Sequence, residues 1–417
     1  MNVVIAGGSL PYPPTAGNRI RTLNLTLRLA ARHRITFVYH RGSDPEESRT
    51  AAAYLRERGV ETLGVDHAVP AKSGPAFYAR LAANLASPLP YSVATHIGPE
   101  MRRAVRSLAE SQAVDLWQAE GAPYFEALRG LAGVRKVLMA HNVESQIWGR
   151  YHETEGRPLR KWYIARQWRK FERFEREAFA GSTRVVVVSD EDAALVRGRF
   201  GAERVDVVDN GIDRAYFGSV EPAREHDRIL FLGGFDWRPN LDAVNQLLDV
   251  IFPAVWAIVP SAKLDLVGRN PPESLVRRAR GMPDVTLHPD VPDVRPFLAR
   301  SGVMAVPLRI GGGSRLKILE ALATGLPVVS TRVGAEGLRL TAGHDLVVVE
   351  RVEEMAAALV GCLRDPDAAR SMAGCGRRLV LERYDWDVMA DKLECIWEDC
   401  LRGDVRPAGS GHEPTAW

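Results

Sequence analysis

The sequence predicts an α/β protein made of two domains, each built around a parallel sheet. Short runs rich in Val, Ile and Leu alternate with amphipathic stretches along the chain, which is typical of β-α units whose sheet is covered on both faces. The chain has 417 residues, and this length suits two cores better than one. Thirteen runs of strand type are present, too many for a single sheet of this kind.

Each of these runs is short and apolar, and turn residues or helical stretches separate it from the next. In the first half of the chain the predicted strands are residues 3–6, 35–39, 60–65, 114–118, 137–140, 185–189 and 205–208. In the second half they are residues 229–232, 264–267, 285–287, 303–307, 328–330 and 346–349.

The boundary between the two domains is expected near residues 212–227. This stretch is polar and lacks clean periodicity, and the strand RILFLGG follows it directly. We therefore predict a first domain of residues 1–212 and a second of residues 213–385. A C-terminal helix over 386–401 is expected to pack back on the first domain. Residues 402–417, rich in Gly, Pro and charge, are expected to form a disordered tail.

Composition and charge exclude several classes of protein. The formal net charge is +3 at pH 7, without the basic excess of a general nucleic-acid binder, so no nucleic-acid partner is expected. The start of the chain, MNVVIAGGSL, lacks the basic segment of a signal peptide, and prolines interrupt the longest apolar stretch. The four cysteines form no C-x-x-C pair, which favours free thiols in a reducing compartment. These features predict a cytoplasmic protein.

The most informative stretch is a strand, a turn and a helix within residues 303–338. An apolar strand ends near Pro307, three glycines and a serine follow, and leucines at helical spacing predict a helix that Ser314 caps. Glycines let a ligand approach the backbone closely, and the N–H groups of a first helical turn attract anions. The predicted anion-binding residues of the turn are Gly311, Gly312, Gly313 and Ser314.

Charged side chains beyond this turn strengthen the prediction of an anion site. Arg315 and Lys317 lie in the first helical turn, where a cation opposes the helix dipole at a cost of about 0.3–1 kcal/mol. A bound diphosphate would offset that cost through charge-assisted hydrogen bonds. Glu320 follows on nearly the same face, where its carboxylate can accept hydroxyls of a ribose. The alternative is a flexible loop before an ordinary surface helix, with a salt bridge between Lys317 and Glu320.

This segment resembles the nucleotide-binding signature of the retaining glycosyltransferases of family four, which have the GT-B fold. Glu320 with the following ALATGLPVV matches the second carboxylate of the family's motif, the one near the ribose. Gly312 stands at the position of the first carboxylate, and in this respect the chain resembles the subgroup with G-G-G-x-R-x-K-x-x-E-A. By this resemblance, backbone amides around Gly312 and Gly313 would contact the donor sugar.

The resemblance covers most of the chain and implies two Rossmann-like domains whose parallel sheets face a central cleft. It implies that the first domain binds the acceptor and the second binds a nucleotide-diphosphate sugar, with no metal and no further cofactor. The implied reaction transfers a hexose, with retention of configuration, to a glycan or lipid-linked glycan in polysaccharide biosynthesis. Arg315, Lys317 and the helix amides would stabilise the leaving diphosphate.

Further candidates follow from the same resemblance. His141, in LMAHNVES, comes directly after a predicted strand and matches the family's histidine beside the donor sugar, with a structural histidine as the alternative. Near the start of the chain, Gly17 matches one glycine of a loop that closes over the diphosphate, and Asn18 replaces the other. Arg19 and Arg21 follow as further phosphate ligands, although a solvated helix residue is an equal alternative for Arg21.

Three positions of the second domain complete the predicted donor site. Gly234 lies in a glycine turn after a strand, and Arg238 lies near the place of the family's basic diphosphate ligands, with a surface role as an equal alternative. Val291 lies in LHPDVPDV, which matches the loop that holds the base. Asp-x-Asp triplets also occur, but they lie at or near expected helix starts and predict no metal site.

Other functions stay open from the sequence alone. A sugar-nucleotide epimerase or a phosphorylase uses the same scaffold, and a non-catalytic nucleotide-sugar-binding protein fits the loss of a carboxylate at Gly312. Residues 157–180 are basic and aromatic. They fit an amphipathic helix on an anionic membrane or a core helix with ion pairs outside, and we favour the second. A weak peripheral contact with the inner face of the membrane stays an alternative.

Overall fold

The computed structural model describes residues 1–42, 44–67, 70–71, 73–310 and 316–403. Within these ranges the chain forms two compact units, each built on a parallel sheet. The first unit comprises Met1–Val208 and the chain from Ala390 onward, and the second comprises Asp209–Met389. None of the described helices is long and apolar enough to cross a bilayer.

The described part of the first unit has a seven-stranded sheet in the order β3-β2-β1-β4-β5-β6-β7, with neighbouring strands parallel. The strands are β1 (Asn2–Ala6), β2 (Arg34–Arg41), β3 (Val60–Asp66), β4 (Leu116–Glu120), β5 (Lys136–Met139), β6 (Arg184–Val187) and β7 (Val205–Val207). The helices are α1 (Gly17–Ala30), α2 (Pro45–Arg56), α3 (Gly74–Asn84), α4 (Tyr91–His96), α5 (Pro99–Ser111), α6 (Phe125–Leu128), α7 (Glu144–Thr154), α8 (Pro158–Ala180) and α9 (Asp190–Phe200). The strand order reverses between β1 and β4, and open α/β sheets bind ligands at the carboxyl ends of such strands.

The second unit repeats this plan with a six-stranded parallel sheet, counted over the described ranges, in the order β10-β9-β8-β11-β12-β13. The strands are β8 (Glu225–Leu232), β9 (Lys263–Gly268), β10 (Val285–Pro289), β11 (Ser301–Val306), β12 (Val328–Thr331) and β13 (Val347–Val349). The helices are α10 (Arg214–Gly218), α11 (Arg238–Gln246), α12 (Phe252–Trp256), α13 (Glu273–Arg280), α14 (Arg295–Arg300), α15 (Leu316–Ala323), α16 (Arg332–Ala335), α17 (Met355–Arg364) and α18 (Pro366–Arg383). A further helix, α19 (Trp386–Arg402), begins in the second unit, and its residues from Ala390 onward belong to the first unit. Here the order reverses between β8 and β11.

The predicted fold class is confirmed, and each predicted strand corresponds to an observed one. Two local differences are instructive. Residues 212–227 are less irregular than expected, because they contain α10 and the start of β8. The strand predicted over 114–118 is β4, which ends two residues later, at Glu120. The predicted tail lies outside the described residues from residue 404 on.

β4, at the centre of the first sheet, buries two polar side chains. Gln118 is 3% exposed and Glu120 is 9% exposed, beside the fully buried Trp117. Buried polar groups are costly unless they find hydrogen-bond partners. The partners of these two side chains lie at the reversal point of the first unit.

The basic segment forms α8, and its burial agrees with the interpretation as a core helix. Ile164, Phe171 and Phe179 are buried, whereas Trp168 is only half-buried. The first turns of α8 are less buried than the rest of the helix, because Leu159 and the neighbouring Trp162 are exposed.

Candidate functional site

In the second unit, Lys317 lies at the point where the strand order reverses. It belongs to the first turn of α15, which follows β11, and its Nζ donates to the backbone carbonyl of Leu232, the last residue of β8. The same Nζ donates to Oδ1 of Asn240 (3.1 Å) and lies 4.8 Å from the centre of the Phe231 ring. These contacts fix the ammonium group at the carboxyl end of β8.

Asn240 links this lysine to the glycine turn after β8. Its side chain is 5% exposed, and its Nδ2 donates to the carbonyl of Gly234 (2.8 Å). The same turn packs closely on β9, because a Cβ atom on Gly268 would lie 1.8 Å from the carbonyl oxygen of Gly233. Only glycine fits at residue 268. Asn240 was not among the site residues predicted from the sequence, although its place just after a glycine turn was an available signal.

Glu320 lies one turn further along α15 and is half-buried. Lys317 donates to Leu232 and Asn240, so its ammonium group does more than form the simple surface salt bridge of the expected alternative. Burial raises the pKa of Glu320 to about 7, and the nearby positive charge of Lys317 only partly opposes this shift. Near neutral pH the group can therefore serve as either a hydrogen-bond donor or an acceptor.

This shifted pKa predicts how stability depends on pH. Between its ordinary value of 4.5 and about 7, the folded protein holds a proton on Glu320 that the unfolded chain releases. The free energy of unfolding therefore falls as pH rises through this window. We expect Glu320→Gln to be more stable than the wild type by about 1–3 kcal/mol at pH 8 and equally stable at pH 4.5, as measured by urea unfolding. Glu273→Gln on the exposed face of α13 is the control, and parallel pH profiles for Glu320→Gln and the wild type would contradict the prediction.

The remaining predicted donor residues are distributed as follows. Arg238 is the first residue of α11 and is half-buried. Val291 follows β10 and packs on the core of the second unit. The turn of Gly311, Gly312, Gly313 and Ser314, together with Arg315, lies outside the described residues, so those five assignments stay predictions.

In the first unit, His141 lies beside a buried carboxylate at the carboxyl ends of β4 and β5. Its Nε2 is 3.0 Å from Oε1 of Glu120. The same oxygen accepts a hydrogen bond from Oγ1 of Thr22 (2.6 Å), and Oε2 accepts one from Nε2 of Gln118 (2.8 Å). Burial alone would raise the pKa of Glu120, but its contacts with His141, Thr22 and Gln118 hold it below its usual value. Glu120 was not among the site residues predicted from the sequence.

The backbone on either side fixes these two side chains in place. Gly121 follows Glu120 with a φ of 105°, a conformation that favours glycine, and donates to the carbonyl of Met139 (3.0 Å). Beyond His141, α7 begins at Glu144, and the carboxylate of Glu175 caps it by accepting from the Glu144 N–H (2.6 Å) and a second N–H (3.1 Å). Burial raises the pKa of Glu175 to about 8.

The start of α1 contains the other predicted residues of this unit. Gly17 and Asn18 are exposed in its first turn, which has no side-chain cap. Both alternatives for Arg21 were wrong, because its side chain is 1% exposed and donates to the carbonyl of Val208 (2.8 Å). An interior arginine of this kind holds the chain after β7 rather than a phosphate. Arg19 donates to Glu47 (2.8 Å).

A cavity of about 210 Å³ opens beside Arg19 in the first unit. Arg19 also donates to Oγ of Ser9 (3.2 Å), and the Tyr12 ring stacks on Tyr54 with 3.8 Å between ring centres. The lining residues are Ser9, Leu10, Tyr12, Arg19, Tyr39, His40, Gly42, Asp44, Glu47, Ser48 and Ala51. The cavity wall is therefore polar, with paired charges and aromatic rings.

All three Asp-x-Asp triplets lie at helix starts, and Asp385 and Asp387 stand on either side of the first residue of α19. Asp190 and Asp192 are in the first turn of α9, and Asp365 caps α18. Among the described residues, no group of three or more His, Cys, Asp or Glu side chains is placed to hold a metal ion.

Two family models match adjoining parts of the chain. Residues 17–216 match the model described as Glycosyltransferase Family 4, and residues 226–365 match the model described as Glycosyl transferases group 1. The chain therefore contains glycosyltransferase domains, and its first half is similar to family four.

Curated relatives cover part of the chain. The MMP alpha-(1->4)-mannosyltransferase of Mycolicibacterium hassiacum is 27% identical over 269 residues, which are 60% of this chain and 63% of the relative. The GDP-mannose-dependent alpha-(1-6)-phosphatidylinositol monomannoside mannosyltransferase of Mycobacterium tuberculosis is 30% identical over 249 residues, 54% of this chain and 63% of the relative. This chain thus spans less than two thirds of the length of both relatives.

Solved structures resemble the whole chain. Sucrose-phosphate synthase from Thermosynechococcus elongatus has a TM-score of 0.68 at 19% identity and covers 96% of this chain and 100% of that one. TarM of S. aureus has a TM-score of 0.70 at 10% identity and covers 95% and 99%. HepE of Anabaena, in complex with UDP, has a TM-score of 0.65 at 12% identity and covers 96% and 100%. At these identities the likeness shows the fold alone, and that fold is GT-B.

Proposed function

We propose that this protein transfers a hexose from a nucleotide-diphosphate-sugar donor to a hydroxyl group of a glycan or lipid-linked glycan, with retention of configuration and without a metal ion. The observation that carries the proposal is the position of Lys317. Its ammonium group is held at the strand-order reversal of a unit that matches Glycosyl transferases group 1. Ligands of open α/β sheets bind at this point.

Electrostatics explain what Lys317 would do there. Bond breaking at the anomeric carbon leaves negative charge on the nucleotide diphosphate, and a fixed cation stabilises that charge best when it need not move during the reaction. Leu232 and Asn240 hold Lys317 in this way. Arg315 and the amides of residues 311–314 would also stabilise this charge. Gly234, Arg238 and Val291 would contact the remaining parts of the donor.

The names of similar proteins support particular donors as first candidates. One relative is called GDP-mannose-dependent, and HepE was solved with UDP. We therefore put GDP-mannose first and UDP-glucose second. Glu320, whose pKa burial raises to about 7, would exchange hydrogen bonds with the hydroxyls of the donor ribose.

In the first unit, His141 would provide a polar contact to the donor sugar near the reacting carbon. The adjacent carboxylate of Glu120 is a poor nucleophile, because it is buried and its two oxygens already interact with Thr22, Gln118 and His141. This favours displacement on one face of the sugar, assisted by the leaving phosphate, over a covalent intermediate. Such a reaction retains the configuration.

The acceptor is proposed to bind to the first unit, and the cavity beside Arg19 supports this. Its volume of about 210 Å³ is below the about 300–1,000 Å³ of sites for drug-sized ligands, so it suits one sugar ring rather than a long chain. Glu47 neutralises the charge of Arg19. Sugar hydroxyls can form hydrogen bonds with both members of this ion pair and with the hydroxyl of Ser9. The rings of Tyr12 and Tyr39 supply apolar surface.

The same proposal places the enzyme in the cytoplasm, with weak peripheral contact at the inner face of the membrane. The first turns of α8 support the contact, because Leu159 is 84% exposed and Trp162 is 50% exposed. Arg160 and Lys161 lie between them in the sequence. Exposed apolar side chains among cations suit an anionic lipid surface.

A donor screen tests the proposed function. We expect one of the UDP-, GDP-, ADP- or dTDP-sugars to raise the melting temperature of the purified protein, since a ligand that binds only the folded state stabilises it. That donor should then be consumed in the presence of an oligosaccharide acceptor, and NMR should show the donor's anomeric configuration in the product. Release of an epimerised donor without acceptor would indicate an epimerase. Binding without any turnover would indicate a non-catalytic binding protein.

A further inference from the structure

A chain of buried hydrogen bonds runs from α19 to His141 within the first unit. Nε1 of Trp397 donates to Oε1 of Gln118 (3.0 Å), and Nε2 of Gln118 donates to Oε2 of Glu120 (2.8 Å). Oε1 of Glu120 lies 3.0 Å from Nε2 of His141. Trp397 is 0% exposed and Gln118 is 3% exposed, so water does not compete for the interior bonds.

The chemistry of the side chains allows only one donor-to-acceptor direction along this series of hydrogen bonds. An indole N–H can only donate, so the amide oxygen of Gln118 must face Trp397 and the amide NH₂ must face Glu120. An NH₂ group can also only donate, which requires an accepting oxygen on Glu120. Thr22 occupies the other oxygen as a further donor. His141 must therefore present Nε2 with its hydrogen to this carboxylate.

We infer that Glu120 is a positioning residue that fixes the ring orientation and the Nε2–H tautomer of His141, and that Trp397 acts on the same ring through Gln118. The inference deepens the proposed function, on which it rests for the role of His141. A ring held by a carboxylate directs the same nitrogen to the substrate in every turnover.

Stability alone gives little reason to keep such a chain. A protein with a buried polar network is often no more stable than the same protein with apolar side chains of similar volume. What such a network contributes is a single arrangement of its side chains. The part of α19 that contains Trp397 is itself anchored to the first unit. Glu394 pairs with His33 (2.6 Å), and Arg32 pairs with Asp391 (2.9 Å). The far end of the network is thus fixed in place.

Glu120→Gln tests the inference because it keeps the shape and changes the direction of hydrogen bonding. The NH₂ group of Gln118 still requires an oxygen, so the new amide would turn its own NH₂ toward His141. We expect ¹⁵N NMR at pH 9 to show His141 mainly as the Nε2–H tautomer in the wild type and as the Nδ1–H tautomer in the variant. We also expect kcat to fall about 10- to 100-fold with KM for the donor within about twofold, the loss typical of a hydrogen bond to a charged group.

Two further variants separate positioning from a structural role. Glu120→Asp keeps the charge and should retain the Nε2–H tautomer. Trp397→Phe keeps most of the ring volume but frees the Gln118 amide to turn. It should give mixed tautomers and a fall in kcat of about 3- to 10-fold, the range for a neutral hydrogen bond. Glu61→Gln on the exposed edge of β3 is the control and should change neither readout.

The outcomes that would overturn the inference are distinct. An unchanged tautomer in folded Glu120→Gln would reject positioning by Glu120, whatever happens to kcat. Should that variant fail to fold, an unchanged tautomer and kcat in Trp397→Phe would reject the inference. The tautomer is measured without substrate, so a protein that transfers no sugar would refute the proposed function and leave this test intact.

Discussion

Replacing Lys317 by methionine is expected to lower kcat/KM for sugar transfer by about 100- to 1,000-fold, the usual loss when one fixed group that stabilises developing charge is removed. Methionine has a similar length and no charge, so it fills the space beside Phe231 without reaching the diphosphate. The loss should appear in both KM and kcat, because the bound diphosphate is already charged and gains further negative charge as the glycosidic bond breaks. Initial rates over a range of donor concentrations measure both constants.

Lys263→Met is the matched control for this experiment. Lys263 is exposed at the start of β9 in the same unit, and its loss removes the same charge without touching the reversal point. It should leave kcat/KM within about twofold of the wild type, as expected for a surface substitution. Full activity of Lys317→Met would show that Lys317 has no part in catalysis, and the donor site would then have to lie elsewhere.

The second large effect is expected on stability, at Asp265 in β9. This carboxylate is 0% exposed and accepts hydrogen bonds from Arg228 (3.1 Å), Arg300 (2.7 Å) and His288 (2.9 Å). Asp265→Ala removes the carboxylate that pairs with Arg300 and leaves Arg228 only its second partner, Glu225. Breaking a fully buried ion pair costs about 3–5 kcal/mol, and the loss is expected near the lower end here because both guanidinium groups are only partly buried. Urea unfolding of the protein measures the difference in the free energy of unfolding between the wild type and Asp265→Ala.

The pH dependence of this effect has a definite sign. Burial alone would raise the pKa of Asp265, but His288, Arg300 and Arg228 hold it below its ordinary value of 3.8. A carboxylate of this kind stabilises the fold above that value and loses its contribution as pH falls through its lower, folded pKa. The wild type and Asp265→Ala should therefore differ at pH 7 and converge in strong acid.

Asp242→Ala provides the comparison for Asp265. Asp242 pairs with Arg309, whose side chain is 43% exposed, and such surface pairs contribute about 0–1 kcal/mol. If both variants lose the same small amount of stability, the cluster around Asp265 does not support the fold as its burial suggests.

The fold could be predicted from the sequence because apolar runs report burial directly. The same signal failed at β4. Gln118 and Glu120 interrupt the apolar run, so the pattern places the strand end at residue 118, and the carboxylate at the true end escapes notice. Arg21 was misjudged for a related reason, because an arginine in an amphipathic helix looks solvated until its partner, the carbonyl of Val208, is known.

The site could be predicted only in part, because several of its hydrogen bonds join residues that are far apart in the sequence. The strand–turn–helix pattern indicated Lys317 as a site residue, but not its attachment to Leu232 and Asn240, which comes from strands and helices brought together in the fold. The bond between Trp397 and Gln118 joins residues 279 positions apart. No local pattern of spacing or charge predicts such a pair.

The division of the chain also has a consequence for biosynthesis. Because the first unit also includes the chain from Ala390 onward, a ribosome finishes the whole of Asp209–Met389 before it supplies Trp397. At about 5–20 residues per second, the nascent amino-terminal sheet waits many seconds with the oxygen of Gln118 lacking its indole donor. The second unit can therefore complete folding first, and a premature stop before residue 397 would leave the first unit unfinished.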